Sequence, residues 1–143
     1  STVVILPWTW IRNMSDAREV AITLATYKRR QSGSTAIGDA LLAAVATIKI
    51  APACVRHTVD ISSDGTNNAG SDPRAAVAML QAMDVQVNAL VIEDEMGVLE
   101  FYQKIISGFV MPATWENYTQ AIKAKLTLEI ANASPARLAF GGR

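Results

Sequence analysis

The chain is poor in the residues that most often carry chemistry. Its 143 residues include one cysteine, Cys54, and one histidine, His57. A lone cysteine excludes an intramolecular disulfide, and neither residue has a Cys or His partner at zinc-site spacing. Cys54 says nothing about compartment, and His57 reads as a structural residue at the head of a strand. Nucleophile elbows, phosphate-binding loops, His-Glu-x-x-His helices and Gly-x-Gly-x-x-Gly turns are all missing, so the sequence predicts no catalytic residue. Net charge is missing as well. Lys+Arg and Asp+Glu stand at 13 each, leaving no overall field to attract nucleic acid or an anionic lipid surface. The one basic run, Lys28-Arg29-Arg30, reads as cations at a helix C-terminus, where they complement the dipole. No run of 18 apolar residues occurs, which predicts no membrane span.

What is present suits a globular domain. Half of the residues are hydrophobic and 18% are charged, and a chain this long makes about one domain, able to bury roughly 68–70% of its unfolded surface. Residues 2–6 form a β-rich apolar run closed by Pro7, which suits an edge strand because proline donates no ladder hydrogen bond. Trp8 and Trp10 share a face if that strand continues, and read as packing. Asp16 with Glu19 resembles a capping box and predicts a helix over 16–30 carrying Val20, Leu24 and Tyr27. Thr35 is expected to cap the next helix, whose Ile37, Leu41, Val45 and Ile48 form one stripe before Pro52.

Further on, residues 58–63 alternate as a strand with an unusual Asp60 inside it, and Gly65 breaks it. Asp72-Pro73 is a strong helix start, and residues 85–92 read as a long buried strand. A helix over 97–107 and a short strand over 109–111 follow. Thr114 is expected to cap a last helix whose Tyr118, Ile122, Leu126 and Ile130 run to Asn132, leaving 133–143 as a tail. Strands alternating with helices predict an α/β fold with a mostly parallel sheet and helices on both faces. In such sheets ligands bind beyond the carboxyl ends of the strands. That rule alone puts Asp64, Thr66, Asn67 and Asn68 on the functional edge. Asp64-Gly65 also suits a plain turn, and Asn67-Asn68 suits either loop shaping or donors to a partner. Glu93-Asp-Glu95 follows a strand at the same edge and reads as helix-start charge.

Three segments, Val4-Ile-Leu-Pro-Trp-Thr9, Ser32-Gly-Ser-Thr-Ala-Ile-Gly-Asp-Ala-Leu41 and Ile61-Ser-Ser-Asp-Gly-Thr-Asn-Asn-Ala-Gly70, together resemble the von Willebrand factor type A domain, most closely an uncharacterised bacterial branch of it. The resemblance implies a three-layer Rossmann-like fold over residues 1–132 that lacks its first two strands. It implies that Thr35 and Asp64 are metal-site positions, with Ser34, Gly65, Thr66, Asn67 and Asn68 around them facing a partner. The family's first metal motif, Asp-x-Ser-x-Ser, does not occur here, so Mg²⁺ binding is expected only where that motif is supplied.

The resemblance further implies a non-enzymatic module that binds a protein partner, an acidic side chain of which completes the cation's coordination, with a leaning to an extracytoplasmic setting. The rival readings are a Rossmann-like hydrolase or nucleotide-binding protein working through the 64–70 loop, and a structural domain that has lost its site. By the family arrangement the strand at 58–63 should also have an unpaired edge, which invites self-association or entry of residues 2–6 into the gap.

Overall fold

The computed structural model describes residues 2–28 and 33–132. Arg29 and Arg30 of the expected basic helix end, and the expected tail at 133–143, lie outside them. The described elements run α1 (Met14–Thr26), α2 (Ile37–Lys49), β1 (His57–Ser63), α3 (Pro73–Ala82), β2 (Val85–Ile92), α4 (Val98–Ile105), β3 (Val110–Ala113) and α5 (Tyr118–Asn132). The three strands form one parallel sheet in the order β1-β2-β3.

The expected strand at 2–6 does not form, and these residues do not fill the space beside β1. Val3, Val4 and Ile5 stay exposed. Pro7 ends the run, and the indole N–H of Trp8 donates to the Thr47 carbonyl at 3.2 Å while its ring meets His57 edge-on. Those contacts tie the segment to the amino end of β1. Helix α1 starts at Met14 because Asn13 is extended and its side chain accepts from the Asp16 backbone N–H at 3.0 Å. Asp16 is therefore in the first turn, where its carboxylate accepts from Arg12, instead of capping. The helix ends at Thr26, and no residue of it is buried.

β2 runs down the middle of the sheet and is buried almost throughout. Its Val85, Val87, Ala89 and Val91 join Leu41, Val45, Val77, Leu80, Val98, Tyr102 and Ile105 in one core, with Val59 and Ile61 of β1 packed against it. Fully burying each valine, leucine or isoleucine among them contributes about 1.5–3 kcal/mol. Successive strand residues point to opposite faces, so Asp60 and Asn88, which pair in register, belong to the other face.

α5 covers that second face by a route the sequence periodicity does not suggest. The expected stripe fails: Leu126 and Ile130 are exposed, and the fully buried residue is Lys125. Its ammonium donates to Asp60 and, at 2.7 Å, to Glu129. The Asn88 amide donates to Glu129 at 2.8 Å and accepts from the Phe109 backbone at 3.1 Å. The face α5 meets is polar at its centre, so a cation with its stem laid on the sheet satisfies it where a leucine would not. Burial pushes the Asp60 carboxyl above its usual range, against the lowering effect of Lys125.

Candidate functional site

Parallel strands place their carboxyl ends on one rim, and the loops after β1, β2 and β3 leave from it. The loop before α2 reaches the same rim because side chains stitch it to the 64–72 loop. Asn68 Oδ1 accepts from the Thr35 N–H at 2.7 Å, and the Asn68 N–H donates to the Thr35 carbonyl at 3.0 Å. Asn67 Oδ1 accepts from the Gly38 N–H at 3.2 Å, while its amide donates to the Ser71 carbonyl. Asp39 closes the seam by accepting from the Ser71 N–H at 2.9 Å, a bond that holds its carboxyl below the usual range.

This seam corrects the role expected for Thr35. The N-cap of α2 is Ala36, which makes no side-chain cap bond; Asn67 supplies that acceptor from across the seam. Thr35 is left with a half-buried side chain whose hydroxyl lies 3.5 Å from the point where a Cβ on Gly65 would stand. Thr35 and the Asp64-Gly65 turn are thereby neighbours. The turn is fixed from below: the Gly65 carbonyl accepts from both the Tyr102 hydroxyl and the Ser63 hydroxyl at 3.0 Å. Burial pushes the Tyr102 hydroxyl above its usual range, Ser63 opposes this, and the nearby Asp64 charge adds to it.

Of the other expected site residues, Ser34 and Asn68 are exposed, while Gly65, Thr66 and Asn67 are half-buried. Both Asn67 and Asn68 spend their carbonyl oxygens on the seam. Thr114 does not cap α5 directly; it forms a reciprocal pair with Asn117 one turn earlier. Sequence reasoning did not single out Asp39, Ser63 or the polar end of Tyr102. Asp39 stands one helical turn after Thr35, the only signal that linked it to the rim. Tyr102 is hidden inside an apolar stripe.

In a chain of zero net charge the rim is nonetheless acidic. Asp39, Asp64, Asp72, Glu93, Asp94, Glu95 and Glu116 stand on its loops and first helical turns, with Arg74 paired to Asp72 at 3.7 Å. Asp64 and Thr35 offer one carboxylate and one hydroxyl, whereas a hydrated divalent cation needs about six oxygens. Among the described residues no three His, Cys, Asp or Glu side chains stand together to hold a metal. A cleft of 410 Å³ beside Trp8, Trp10 and α1, and one of 480 Å³ beside Arg56, Asp84 and Ser107, lie away from the rim.

These features define an α/β protein with a small parallel sheet and a loop-built rim at its carboxyl edge. The chain belongs to the family described as a protein of unknown function, DUF1194, whose model matches residues 1–134. No curated protein and no solved structure matches it.

Proposed function

We propose that this chain is the greater part of a von Willebrand factor type A-like module, non-enzymatic, that binds a protein partner at the acidic rim with the help of a divalent cation. The observation that carries the reading is the seam, in which Asn67, Asn68 and Asp39 hold the Thr35 hydroxyl against the Asp64-Gly65 turn. A rim built by long-range hydrogen bonds is set in advance for a ligand, which lowers the ordering cost of binding. The carboxylates of the rim repel an acidic partner until a cation neutralises them, so the reading makes partner binding cation-dependent. Asp64 is the ligand, Thr35 a neutral oxygen donor, and Ser34, Gly65 and Thr66 form the surface around them.

Calorimetry tests this directly. The chain by itself should bind Mg²⁺ negligibly, and binding should appear when a segment carrying Asp-x-Ser-x-Ser is joined to it in one polypeptide. Asp64→Ala should then abolish it. Tight Mg²⁺ binding by the chain without that segment, or restored binding indifferent to Asp64, would show that the site is elsewhere.

A second expectation separates this reading from a hydrolase. Purified chain should give no turnover of generic ester, phosphate or nucleotide substrates, because no nucleophile and base pair is recognisable in its sequence. Reproducible hydrolysis lost in Asp64→Ala would favour the enzyme.

A further inference from the structure

The second face of the sheet gathers reactive groups that the rim does not use. Lys125 of α5 is fully buried, and its ammonium donates to Asp60 of β1 and, at 2.7 Å, to Glu129 one helical turn further on. The Asn88 amide holds the same Glu129 oxygen at 2.8 Å, and the Phe109 ring lies 5.4 Å from Lys125 Nζ. The Glu129 side chain is 12% exposed and that of Asp60 27%. One primary amine and two carboxyl groups thus meet in an enclosed place, with an aromatic ring beside the nitrogen.

We infer that Lys125 and Asp60 condense to a side-chain amide, with Glu129 as the proton carrier, so that a covalent bond joins α5 to β1. Folding comes first, since the partners stand 65 residues apart, and the ion-paired trio is the state from which the bond forms. A proton passes from the ammonium to the Asp60 carboxylate, leaving an amine and a carboxylic acid, a transfer that relieves the desolvation of a buried ion pair. The amine lone pair attacks Asp60 Cγ, and the carbonyl π pair moves onto its oxygen. Glu129 takes a proton from Nζ and passes it to the hydroxyl on Cγ, which leaves as water while the carbonyl re-forms. One C–N bond has formed and one C–O bond has broken, nothing is oxidised or reduced, and Glu129 ends as it began.

The surroundings favour this outcome. The hydrogen bond to Asp60 keeps Nζ next to Cγ, and such fixed placement gives effective molarities of about 10⁵–10⁸ M. Burial pushes the Asp60 carboxyl above its usual range, with Lys125 opposing and Glu129 adding, which brings its protonated form within reach. The partial exposure of Asp60 gives the released water a way out.

Intact-mass spectrometry of the full chain, purified and then denatured, tests the inference. The mass should fall below that of the sequence by one water, and peptide mapping should find Asp60 and Lys125 in one branched fragment. The mapping matters because an aspartate before glycine can lose water by closing on its own backbone, and Asp64-Gly65 is such a pair. Lys125→Arg keeps the charge but offers no deprotonated amine, so it should have its full mass. Asp60→Asn should form the same bond with loss of ammonia in place of water. Glu129→Gln should keep its full mass over times in which the parent chain condenses completely, because a positioned acid–base group contributes about 10²–10⁴-fold in rate. Circular dichroism checks that the variants fold; where one does not, the branched fragment of the parent chain decides. A folded parent chain of full mass overturns the inference, as does a deficit that maps to Asp64-Gly65 or persists in Lys125→Arg. Equal condensation in Glu129→Gln overturns the mechanism.

Discussion

Replacing Lys125 by alanine should cost about 3–5 kcal/mol of stability, the range for removing one partner of a buried ion pair. Lys125 is fully buried and is the cation for both Asp60 and Glu129. Without it, two carboxylates of low exposure face each other across a gap. The loss should also depend on pH, and its sign follows from Asp60. Burial already raises that carboxyl, and Glu129 adds to the effect, while Lys125 alone among the side chains opposes it. Removing Lys125 raises the folded-state value further, so the variant takes up protons on folding. Its deficit should be largest at neutral pH and shrink as pH falls through the carboxylate range. Urea unfolding of both proteins at several pH values measures this. Lys125→Met separates charge from volume: it refills the space but leaves the carboxylates unpaired, so it should recover only the packing part. Stability equal to that of the parent chain in Lys125→Met would mean that the ion network is not what fixes α5.

Gly38→Ala is expected to break the rim. A methyl there would stand inside the contact distance of the Ser71 carbonyl oxygen and 2.6 Å from its carbon. Both are backbone atoms, so the obstacle cannot swing aside as a side chain would. The two loops must part, and with them go the Asn67 bond to Gly38 and the Asp39 bond to Ser71. Overpacking together with two lost hydrogen bonds amounts to about 3 kcal/mol or more. Gly65→Ala is the useful contrast, since its methyl would meet only the Thr35 hydroxyl at an ordinary 3.5 Å. It should leave thermal stability within about 0.5 kcal/mol of the parent, as for substitutions that strain nothing. Equal melting temperatures for the two variants would show that the seam is softer than its geometry indicates.

How much of this was readable from the sequence depended on how local each signal was. β2 announced itself as eight residues of buried-type strand, and Asp72-Pro73 marked the start of α3 by a cap and a fixed φ that need no distant partner. Asp60 was visible as an oddity in its strand, but its partner lies 65 residues away, and nothing local tells a buried lysine from a solvated one. The apolar spacing of α5 therefore pointed to the wrong face. Thr35 failed as a cap for a similar reason: a better-placed acceptor for the Gly38 N–H arrives from Asn67, 29 residues after Gly38. Residues 2–6 have the composition of a strand, yet strands exist only in pairs, and composition cannot say whether a neighbour is there. Thr35 and Asp64 were set side by side by the resemblance, and the structure puts the Thr35 hydroxyl beside Gly65, while Tyr102 and Asp39, which help shape these loops, looked like any stripe tyrosine and any first-turn acid.

The way α5 is attached has a consequence for how the domain holds its shape. Apolar contact is non-directional, so a helix resting on leucines can roll or slip along a sheet with little change in energy. Lys125, Glu129 and Asn88 instead meet at fixed angles and short distances, with Asp60 as a further anchor. Such a fastening has one alignment of lowest energy. α5 is keyed to the sheet in rotation and in height, and the directions in which Leu126, Leu128 and Ile130 face outward are set by where Lys125 is fastened.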